Sequence, residues 1–325
     1  MEGSNPDFYI QGILNSNRRI IAKTITLIES SLDKDKKIAF EIVKKILPLS
    51  GKSIRIGITG VPGVGKSTFI ESLGLFLSNK DHKVAVLAVD PTSTRSGGSI
   101  LGDKTRMEKL GSHENTFIRP SPAGDTLGGV ALKTRETMLV LEAAGYDVIL
   151  VETVGVGQSE TKVSSMVDFF LVLLIAGAGD ELQGIKKGIL EIADALAINK
   201  ADNDNIERAK KAQKIFETAL HFVIPASSVW NPPVLTVSSI EKKGTEKVWQ
   251  TIVKHNRIMK DQGLFDYKRR DQALEWMWNL VDEGIKKKFM EKKSIKDNIS
   301  RISKDVTSGL TSPSAAAEKL LSYLN

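Results

Sequence analysis

Apolar residues in the first fifty positions recur mostly every three or four residues. Between residues 8 and 50 the chain has a single glycine, Gly12, and no proline before Pro48. The residues that carry this pattern are Ile20, Ile21, Ile25, Leu27, Ile28, Leu32, Ile38, Ile42, Val43 and Ile46. Such spacing is typical of amphipathic helices, so the pattern predicts two helices with a break near Ser30 to Lys34.

From residue 53 the pattern changes to short β-branched runs that alternate with helical segments. The runs are Ile54 to Thr59, Val84 to Val89, Val148 to Val151, Phe169 to Ile175, Ala195 to Ile198, His221 to Ile224 and Val234 to Val237. Most are apolar on successive residues, as expected of strands buried on both faces of a parallel sheet. The alternation predicts an α/β fold with a doubly wound, mostly parallel sheet.

After about residue 257 the strand signals stop, and residues 270 to 325 are predicted to be helical. Trp276, Trp278 and Leu280 indicate an apolar face, while Gly309 and Pro313 indicate a break. We therefore predict an N-terminal helical extension over 1–50, an α/β domain over 51–257 and a C-terminal helical dimerisation region over 258–325. Residues two apart do not share a helix stripe. We expect one tryptophan to pack inward and the other to meet a second chain in a homodimer.

Composition excludes several classes of protein. The chain has 325 residues, 41% hydrophobic and 26% charged, which is typical of a soluble globular protein. No run approaches the roughly 20 apolar residues that a bilayer span needs, and the N-terminus lacks the pattern of a secretory signal. Cysteine is absent, which excludes disulfides and thiolate chemistry. We expect a cytoplasmic protein with no membrane partner.

The basic balance does not by itself indicate nucleic acid. Net charge is +7 and the pI is about 9.3, but much of the excess lies in Lys286 to Lys293 and in Lys242, Lys243 and Lys247. These lysines fall on predicted helical stretches and are most simply solvated faces. Aromatic and basic residues do not interleave as they do where bases stack, so we expect no nucleic-acid partner.

One glycine-rich segment fits the phosphate-binding pattern G-x-x-x-x-G-K-[ST]. It is Gly60-Val61-Pro62-Gly63-Val64-Gly65-Lys66-Ser67, followed by Thr68. A predicted strand precedes it and a predicted helix, Thr68 to Leu77, follows, which is the context the motif requires. Backbone N–H groups and the helix N-terminus would face the phosphates. Lys66 would neutralise phosphate charge, and the Ser67 hydroxyl would ligate Mg²⁺. The segment predicts a P-loop.

A second motif, Asn199-Lys200-Ala201-Asp202, follows the predicted strand Ala195 to Ile198. A carboxylate at Asp202 could accept hydrogen bonds from guanine N1–H and the exocyclic amine, whereas adenine offers no matching pair. The segment Ser238-Ser239-Ile240 would then close over the base. The alternative is a helix N-cap, with Asp202 or Asp204 starting a helix over Ile206 to Leu220. Both interpretations can hold at once.

Three carboxylates at predicted strand ends or loops are candidates for the neighbourhood of Mg²⁺. Asp90 follows Val84 to Val89, Asp103 lies in the glycine-rich loop beyond it, and Glu152 follows Val148 to Val151. Mg²⁺ prefers oxygen ligands and keeps several waters, so some would act through water. Gly155 could place its N–H against the γ-phosphate, and the loops Val154 to Thr161 and Thr92 to Arg106 could act as switches. Plain surface loops are the alternative.

The chain resembles the methylmalonyl-CoA mutase-associated GTPases, a metallochaperone class long labelled arginine/ornithine transport-system kinases. The resemblance runs from about residue 18 to beyond 280. It rests on Asp90-Pro91-Thr92-Ser93, Ser96-Gly97-Gly98-Ser99-Ile100-Leu101-Gly102-Asp103-Lys104-Thr105-Arg106-Met107, Val151-Glu152-Thr153-Val154-Gly155-Val156-Gly157-Gln158-Ser159-Glu160 and Gly179-Asp180-Glu181-Leu182-Gln183-Gly184-Ile185-Lys186.

The resemblance implies a homodimer whose cycle of GTP binding and hydrolysis gates adenosylcobalamin loading and protects a B12-dependent acyl-CoA mutase, with an adenosyltransferase as a further partner. It implies that Lys66 and Ser67 bind phosphate and metal, that Asp90, Asp103 and Glu152 surround Mg²⁺, and that Asn199, Lys200 and Asp202 read guanine. It also implies a further switch, Gly177 to Lys186, in which Lys186 contributes to accelerated hydrolysis. Ala123-Gly124-Asp125 departs from the family pattern and receives no site assignment.

Two other functions remain as alternatives. One is a kinase linked to arginine/ornithine transport, which the absence of an export signal or membrane span argues against. The other is a nickel- or cobalt-insertion GTPase, a class that usually carries His-rich or Cys-containing motifs. Here the histidines are scattered, and each is expected to lie on the surface or in a loop: His82, His113, His221 and His255.

Overall fold

The chain folds into two compact units, Met1–Arg269 and Arg270–Asn325. The structure, a computed structural model, describes residues 5–89, 107–120, 127–153, 159–177, 187–225 and 228–324. No helix within these ranges is long and apolar enough to cross a bilayer.

The N-terminal segment forms three helices where the periodicity predicts two. They are α1 (Pro6–Leu14), α2 (Arg18–Glu29) and α3 (Asp33–Ile46). The break between α2 and α3 is confirmed, but a second one follows α1. There Ser16 takes a positive φ of 53°, and the Asn17 side chain accepts hydrogen bonds from the backbone N–H groups of Arg19 and Ile20. The prediction missed this break because the N-cap interrupts the helix without interrupting the apolar spacing.

The sheet of the first unit has seven strands in the order β3-β2-β4-β1-β5-β6-β7, and every pairing is parallel. The strands are β1 (Ile54–Gly60), β2 (Val84–Val89), β3 (Thr116–Arg119), β4 (Val148–Thr153), β5 (Phe169–Ile175), β6 (Ala195–Asn199) and β7 (Val234–Thr236). The predicted α/β fold with a parallel sheet is confirmed.

The sequence analysis assigned one strand wrongly and missed another. His221 to Ile224 is not a strand, because the helix before it continues to Val223. Its short apolar run is the last turn of that helix, where Leu220 still packs into the core. Strand β3 was not predicted, because four residues that begin with Thr116 and end with Arg119 form no continuous apolar run.

Helices connect the strands and continue beyond the sheet. They are α4 (Lys66–Ser78), α5 (Glu108–Ser112), α6 (Leu127–Ala143), α7 (Ser159–Ser164), α8 (Lys187–Ile192), α9 (Ile206–Val223), α10 (Thr245–Asp261), α11 (Leu264–Glu291), α12 (Lys293–Thr307) and α13 (Pro313–Ser322). Short 3₁₀ turns occupy Leu47–Leu49 and Asn203–Asn205.

Two apolar clusters cover the two faces of the sheet. One joins helices α1 to α3, α6 and α9 to one face, with Ile21, Ile25 and Ile42 fully buried. The other joins α4 and α10 to the opposite face through Phe69 and Ile252. Because each strand is covered on both sides, its side chains are apolar on successive residues, as the sequence pattern indicated.

A network of buried charges lies at the amino ends of β1 and β5. The Glu142 carboxylate accepts hydrogen bonds from the Gly51 N–H (2.7 Å), the Ser53 hydroxyl (2.5 Å) and the Arg55 guanidinium (2.8 and 2.9 Å). Asp168 accepts from the Arg55 N–H and twice from the Arg269 guanidinium. Arg269 also donates to the carbonyl oxygens of Gly51 and Ser53.

His255 contradicts the expectation of a surface or loop histidine. It lies on α10 with 3% of its surface exposed, and its ring stands edge-on to Phe169 and Trp230 at 5.1 and 4.9 Å. It is a core residue of the α10 packing face.

The second unit contains the rest of α11, together with α12 and α13. The expected break between its last two helices is confirmed: Gly309 has a positive φ of 74°, and the Ser312 hydroxyl caps α13 by accepting from the Ala315 N–H. Ile295, Ile302 and Ala316 are buried, whereas Trp278 is 61% exposed.

Candidate functional site

The glycine-rich loop connects β1 to α4 at the carboxyl edge of the sheet. Gly60 is the last residue of β1, and α4 begins at Lys66. Gly65 has a φ of 92°, and a Cβ on it would lie 2.8 Å from the Asn199 amide nitrogen. Only glycine meets both demands at this position. The loop Val61–Gly63 is exposed, Val64 is buried, and Ser67 and Thr68 lie in the first turn of α4.

The Lys66 side chain folds back over the loop. Its ammonium donates to the carbonyl oxygens of Gly60 at 2.7 Å and Val61 at 3.4 Å. Burial lowers the pKa of Lys66, and the nearby Glu152 and Glu160 carboxylates offset only part of that effect. The site thus holds a half-buried cation whose charge the protein compensates incompletely, which suits it to an anionic ligand.

Ser67 and Glu152 come together beside the loop. The Ser67 hydroxyl donates to Glu152 Oε1 at 3.2 Å. Glu152 lies inside β4, which ends at Thr153, two residues beyond the predicted strand end, and is 9% exposed. Next to it, the Thr153 hydroxyl donates to the Thr59 hydroxyl at 2.7 Å. A hydroxyl and a carboxylate at this separation form the kind of oxygen pair that Mg²⁺ prefers.

Asn199 joins three loops of the site. Its amide nitrogen donates to the Val64 carbonyl at 2.8 Å, and its amide oxygen accepts from the Ser239 hydroxyl at 2.8 Å and the Ser239 N–H at 3.3 Å. Asn199 is 1% exposed. Both ends of its amide are committed to protein groups, so Asn199 fixes the phosphate loop against the segment that follows β7.

Asp202 and Ser238 are also brought together. The Ser238 hydroxyl donates to Asp202 Oδ2 at 2.5 Å and accepts from the Glu241 N–H at 3.1 Å. Lys200 is exposed with a positive φ of 58°, and its Cε lies 4.0 Å from where a Cβ on Gly65 would stand. Ile240, by contrast, is 78% exposed in the turn beyond Ser239. The Ile240 side chain is therefore mostly in solvent, unlike the partly covered Asp202 and the buried Ser238.

The N-cap alternative for this segment has no support in the geometry. Asp202 precedes the 3₁₀ turn Asn203–Asn205, but its side chain makes no capping hydrogen bond there. Helix α9 is preceded by Asn205, whose side chain does not cap it either. Asp204 is exposed inside the turn. The Asp202 carboxylate is therefore directed by Ser238 rather than by a helix end.

The structure adds one carboxylate to which the sequence gave no role. Glu160 lies at the start of α7, is 2% exposed, and contributes to the electrostatic field at Lys66. The sequence feature that could have indicated Glu160 is its position: it lies five residues after Gly155, in the predicted loop that follows the strand with Glu152. Buried acidic residues are rare without a partner, but burial is not visible in a sequence.

Several predicted site residues fall outside the described part of the chain. Asp90, Asp103, Gly155 and Lys186 are among them, as are most residues of the three predicted switch loops and the stretch Ala123 to Asp125. Within the described ranges, no group of three or more His, Cys, Asp or Glu side chains is placed to hold a metal ion.

Comparison with known proteins identifies the family. The family model described as methylmalonyl Co-A mutase-associated GTPase MeaB matches residues 21–294, most of the chain. The chain belongs to the MeaB family. It is therefore a P-loop GTPase, and the predicted resemblance and enzyme class are confirmed.

The chain is also similar to named proteins over nearly its whole length. A probable GTPase of Mycobacterium tuberculosis is 46% identical over 100% of this chain and 98% of its own length. The mouse protein named methylmalonic aciduria type A homolog, mitochondrial, is 43% identical over 95% of this chain and 77% of its own length. Among solved structures, one described as LAO/AO transport system kinase is 34% identical with a TM-score of 0.76, covering 98% of this chain and 97% of that one.

Proposed function

We propose that this MeaB-family GTPase binds GTP with Mg²⁺ at the carboxyl edge of its sheet and uses hydrolysis to regulate an adenosylcobalamin-dependent acyl-CoA mutase. The observation that carries the nucleotide site is the Asn199 bridge, which ties Val64 of the phosphate loop to Ser239. One nucleotide can then span Lys66 at its phosphates and Asp202 at its base. GDP would occupy the same site after hydrolysis.

Guanine selectivity rests on the Asp202 carboxylate. Two donors of guanine would meet its oxygens, and Ser238 holds the carboxylate in place from the side. Adenine lacks that pair of donors and would leave the carboxylate unsatisfied, at a cost typical of unpaired charged groups. Lys200 would lie along the base, while Asn199 would act by positioning the phosphate loop. Titration tests this: GTP should bind at least 100-fold more tightly than ATP, and equal affinities would favour the transport-kinase alternative.

The residues at the loop fit a magnesium ion. Ser67 and Glu152 offer oxygen ligands beside the phosphate loop, and we assign Asp90 and Asp103 to the same neighbourhood on the family resemblance. When bound, Mg²⁺ neutralises charge on the phosphates. Lys66 would leave the carbonyl oxygens of Gly60 and Val61 for the β- and γ-phosphates. Gly155 would donate its N–H to the γ-phosphate, and Lys186 would contribute when a partner accelerates hydrolysis.

The mutase is proposed from the family and from the name of the mouse relative. We propose that the switch loops near Gln158 and Asp180 to Lys186 contact it, with an adenosyltransferase as a further partner, in the cytoplasm. A pulldown from native lysate with chain loaded with a GTP analogue should retain an acyl-CoA mutase. The Asp202→Asn chain serves as the control, at an analogue concentration that fills the wild-type site and leaves the weaker variant site mostly empty. If the mutase were retained equally with and without the GTP analogue, the proposal would be contradicted.

A homodimer through the C-terminal helices is supported by one stripe on α11. Leu274, Trp278, Val281 and Ile285 are each 39–61% exposed, and their spacings of four, three and four residues place them on one helix face. Aromatic residues tend to anchor interfaces. Light scattering should give a dimer for the full chain and a monomer that still binds GTP when the chain is truncated after Arg269, the last residue of the first unit. A full chain that stays monomeric at tens of micromolar would remove this part of the proposal.

A further inference from the structure

A groove of about 920 Å³ lies beside the edge strand β7, between α9 and α10. It includes none of the residues of the candidate nucleotide site. Its apolar surface comes from the end of α9, the segment before β7 and the end of α10: Ile224, Val229, Trp230, Pro232, Pro233 and Ile258. Because β7 is the last strand of the sheet, the groove follows an edge where another chain could lie.

The groove has a preorganised aromatic wall. The Trp230 indole N–H donates to the Asp194 carbonyl at 2.8 Å, and its ring stands edge-on to His255 at 4.9 Å. Trp230 is thus fixed before any ligand arrives, although part of its ring is accessible. Beside it, Val229 is 50% exposed. Fixed aromatic residues with apolar neighbours lose little entropy on binding and commonly anchor interfaces.

Main-chain pairing along β7 is blocked where it would start. The Gln213 side chain donates to the Val234 carbonyl at 2.8 Å, and its amide also donates to Glu217 at 3.2 Å. A side chain that satisfies an edge carbonyl protects the strand against β-addition. Recognition in the groove must therefore come mainly from side chains.

The charges around the groove select an acidic ligand. Lys247 and Lys254 line its α10 side, and both are exposed. Helices α9 and α10 each carry four lysines or arginines against two carboxylates. Glu217 on the α9 side is already held by Gln213. The Gln213 amide is neutral and leaves the charge of Glu217 in place, so the lining carries two lysine charges against one carboxylate and is net basic.

We propose that this groove docks an extended acidic segment of a partner protein, with apolar side chains against Trp230 and Val229 and carboxylates on Lys247 and Lys254. Seven helical residues place the two lysines about 10 Å apart along α10. Carboxylates four residues apart on an extended chain share a face and lie about 13 Å apart, a distance that two long lysine side chains can span. The apolar and proline-lined floor fits side chains better than the phosphates of a nucleic acid. A second copy of this chain has a net charge of +7 and therefore does not complement the charge of the lysines on the α10 side of the groove.

The test is a selection of random twelve-residue displayed peptides on the full GDP-bound chain, followed by fluorescence anisotropy with the enriched peptides synthesised. The expected peptides carry two or more acidic residues next to an apolar one. Their affinity should fall at least tenfold for the double substitution Lys247→Glu and Lys254→Glu, and severalfold for Val229→Ser. The matched control is Lys37→Glu with Lys44→Glu, two exposed lysines at the same spacing on α3, which should leave affinity unchanged.

Several outcomes would overturn the proposal. Either no peptide is enriched, or the enriched peptides lack acidic residues, or they bind the double variant as well as the control. Peptides that match this chain's own acidic segments would identify a second copy as the occupant. A single-stranded twenty-nucleotide DNA that competes with the peptides, and loses binding in the same variant, would identify a nucleic acid. Either result also overturns the partner-protein claim.

Discussion

The two ends of strand β1 both gather charged side chains, but they treat them differently. At the amino end, Glu142 and Asp168 receive seven hydrogen bonds from backbone, hydroxyl and guanidinium groups. At the carboxyl end, Lys66 is bonded to two backbone carbonyl oxygens. The first end is saturated by the protein itself. The second is arranged so that a ligand can replace the protein's own contacts.

The pKa shifts follow this difference. Burial alone would raise the pKa of Glu142, but the hydrogen bonds and charge of Arg55, with Ser53 and Gly51, hold it below its ordinary value. Burial opposes the charge of Arg269 as well, yet Asp168 holds its pKa above the ordinary value. For Lys66 burial prevails and the pKa falls. A buried charge that the protein satisfies is structural, whereas one that it leaves undercompensated indicates a binding site.

The largest effect should come from removing the undercompensated cation. Lys66→Ala should slow GTP hydrolysis on the order of 10³-fold, about 4 kcal/mol in the barrier, because the developing phosphate charge loses its partner. The free energy of unfolding should stay within about 0.5 kcal/mol of wild type, since burial already disfavours this charge. Single-turnover hydrolysis and urea unfolding measure the two effects. Lys80→Ala, which alters an exposed lysine, is the control. Unchanged turnover would contradict the assignment.

At the amino end of β1 we expect a loss of stability and no loss of nucleotide binding. Glu142→Gln should lower the free energy of unfolding by about 3 to 4 kcal/mol at pH 7, because it leaves Arg55 without its buried countercharge. Since the folded pKa of Glu142 is depressed, its stabilisation is present above pH 4.5 and is lost as the pH falls through the folded pKa. The difference in the free energy of unfolding between wild type and Glu142→Gln should therefore become smaller as the pH falls.

Urea unfolding at several pH values measures this deficit, with Glu246→Gln as the control for an exposed ion pair. Glu246→Gln should lower the free energy of unfolding by no more than about 0.5 kcal/mol. Nucleotide affinity of the folded Glu142→Gln chain should be unchanged. A strong loss of affinity without a loss of stability would mean that the two ends of β1 are not separable.

Asp202→Asn sharpens the comparison within the site. An amide would place a donor against a guanine donor, so GTP affinity should fall by about 2 to 3 kcal/mol, roughly 100-fold, with little change in stability. Calorimetric titration measures the affinity. The matched control is Asp204→Asn, two residues away and exposed, which should bind GTP normally. Equal losses in both variants would point to the helix that follows rather than to the base.

The smallest effect concerns a partly buried carboxylate that lies at neither end of β1. Burial raises the pKa of Glu136 on α6 to about 7, and Lys133 opposes this only in part. Because the folded pKa lies above the unfolded one, the stabilisation is complete below pH 4.5 and is lost as the pH rises through about 7. Glu136→Gln should therefore become more stable relative to wild type between pH 5 and 8, by about 2 kcal/mol. Urea unfolding across that range measures it, and exposed Glu41→Gln should show no such trend.

The sequence by itself determined the elements with strong local signals. Short, mostly apolar runs predicted six of the described strands, because a strand covered on both faces has no polar side. Gly65 and Lys66 indicated the phosphate loop, because the backbone there admits few residue types. The apolar pattern failed where an element was very short, or where the same run of residues fits a helix end as well as a strand. The run His221 to Ile224 has the same apolar content in a helix end as in a strand, and β3 is too brief to show a period.

Only the tertiary structure decided which polar groups meet. Asn199 and Ser239 stand forty residues apart in sequence, and Asp168 and Arg269 about a hundred. Parallel crossovers bring the first pair to one edge of the sheet, and the start of helix α11 brings Arg269 to Asp168. Neither hydrogen bond can be predicted from local spacing in the sequence. The sequence predicted Asn199 among the residues that read guanine, and only the structure shows that its amide also holds the phosphate loop. Residue type follows from the chain, but whether a buried charge is satisfied depends on neighbours that only folding supplies.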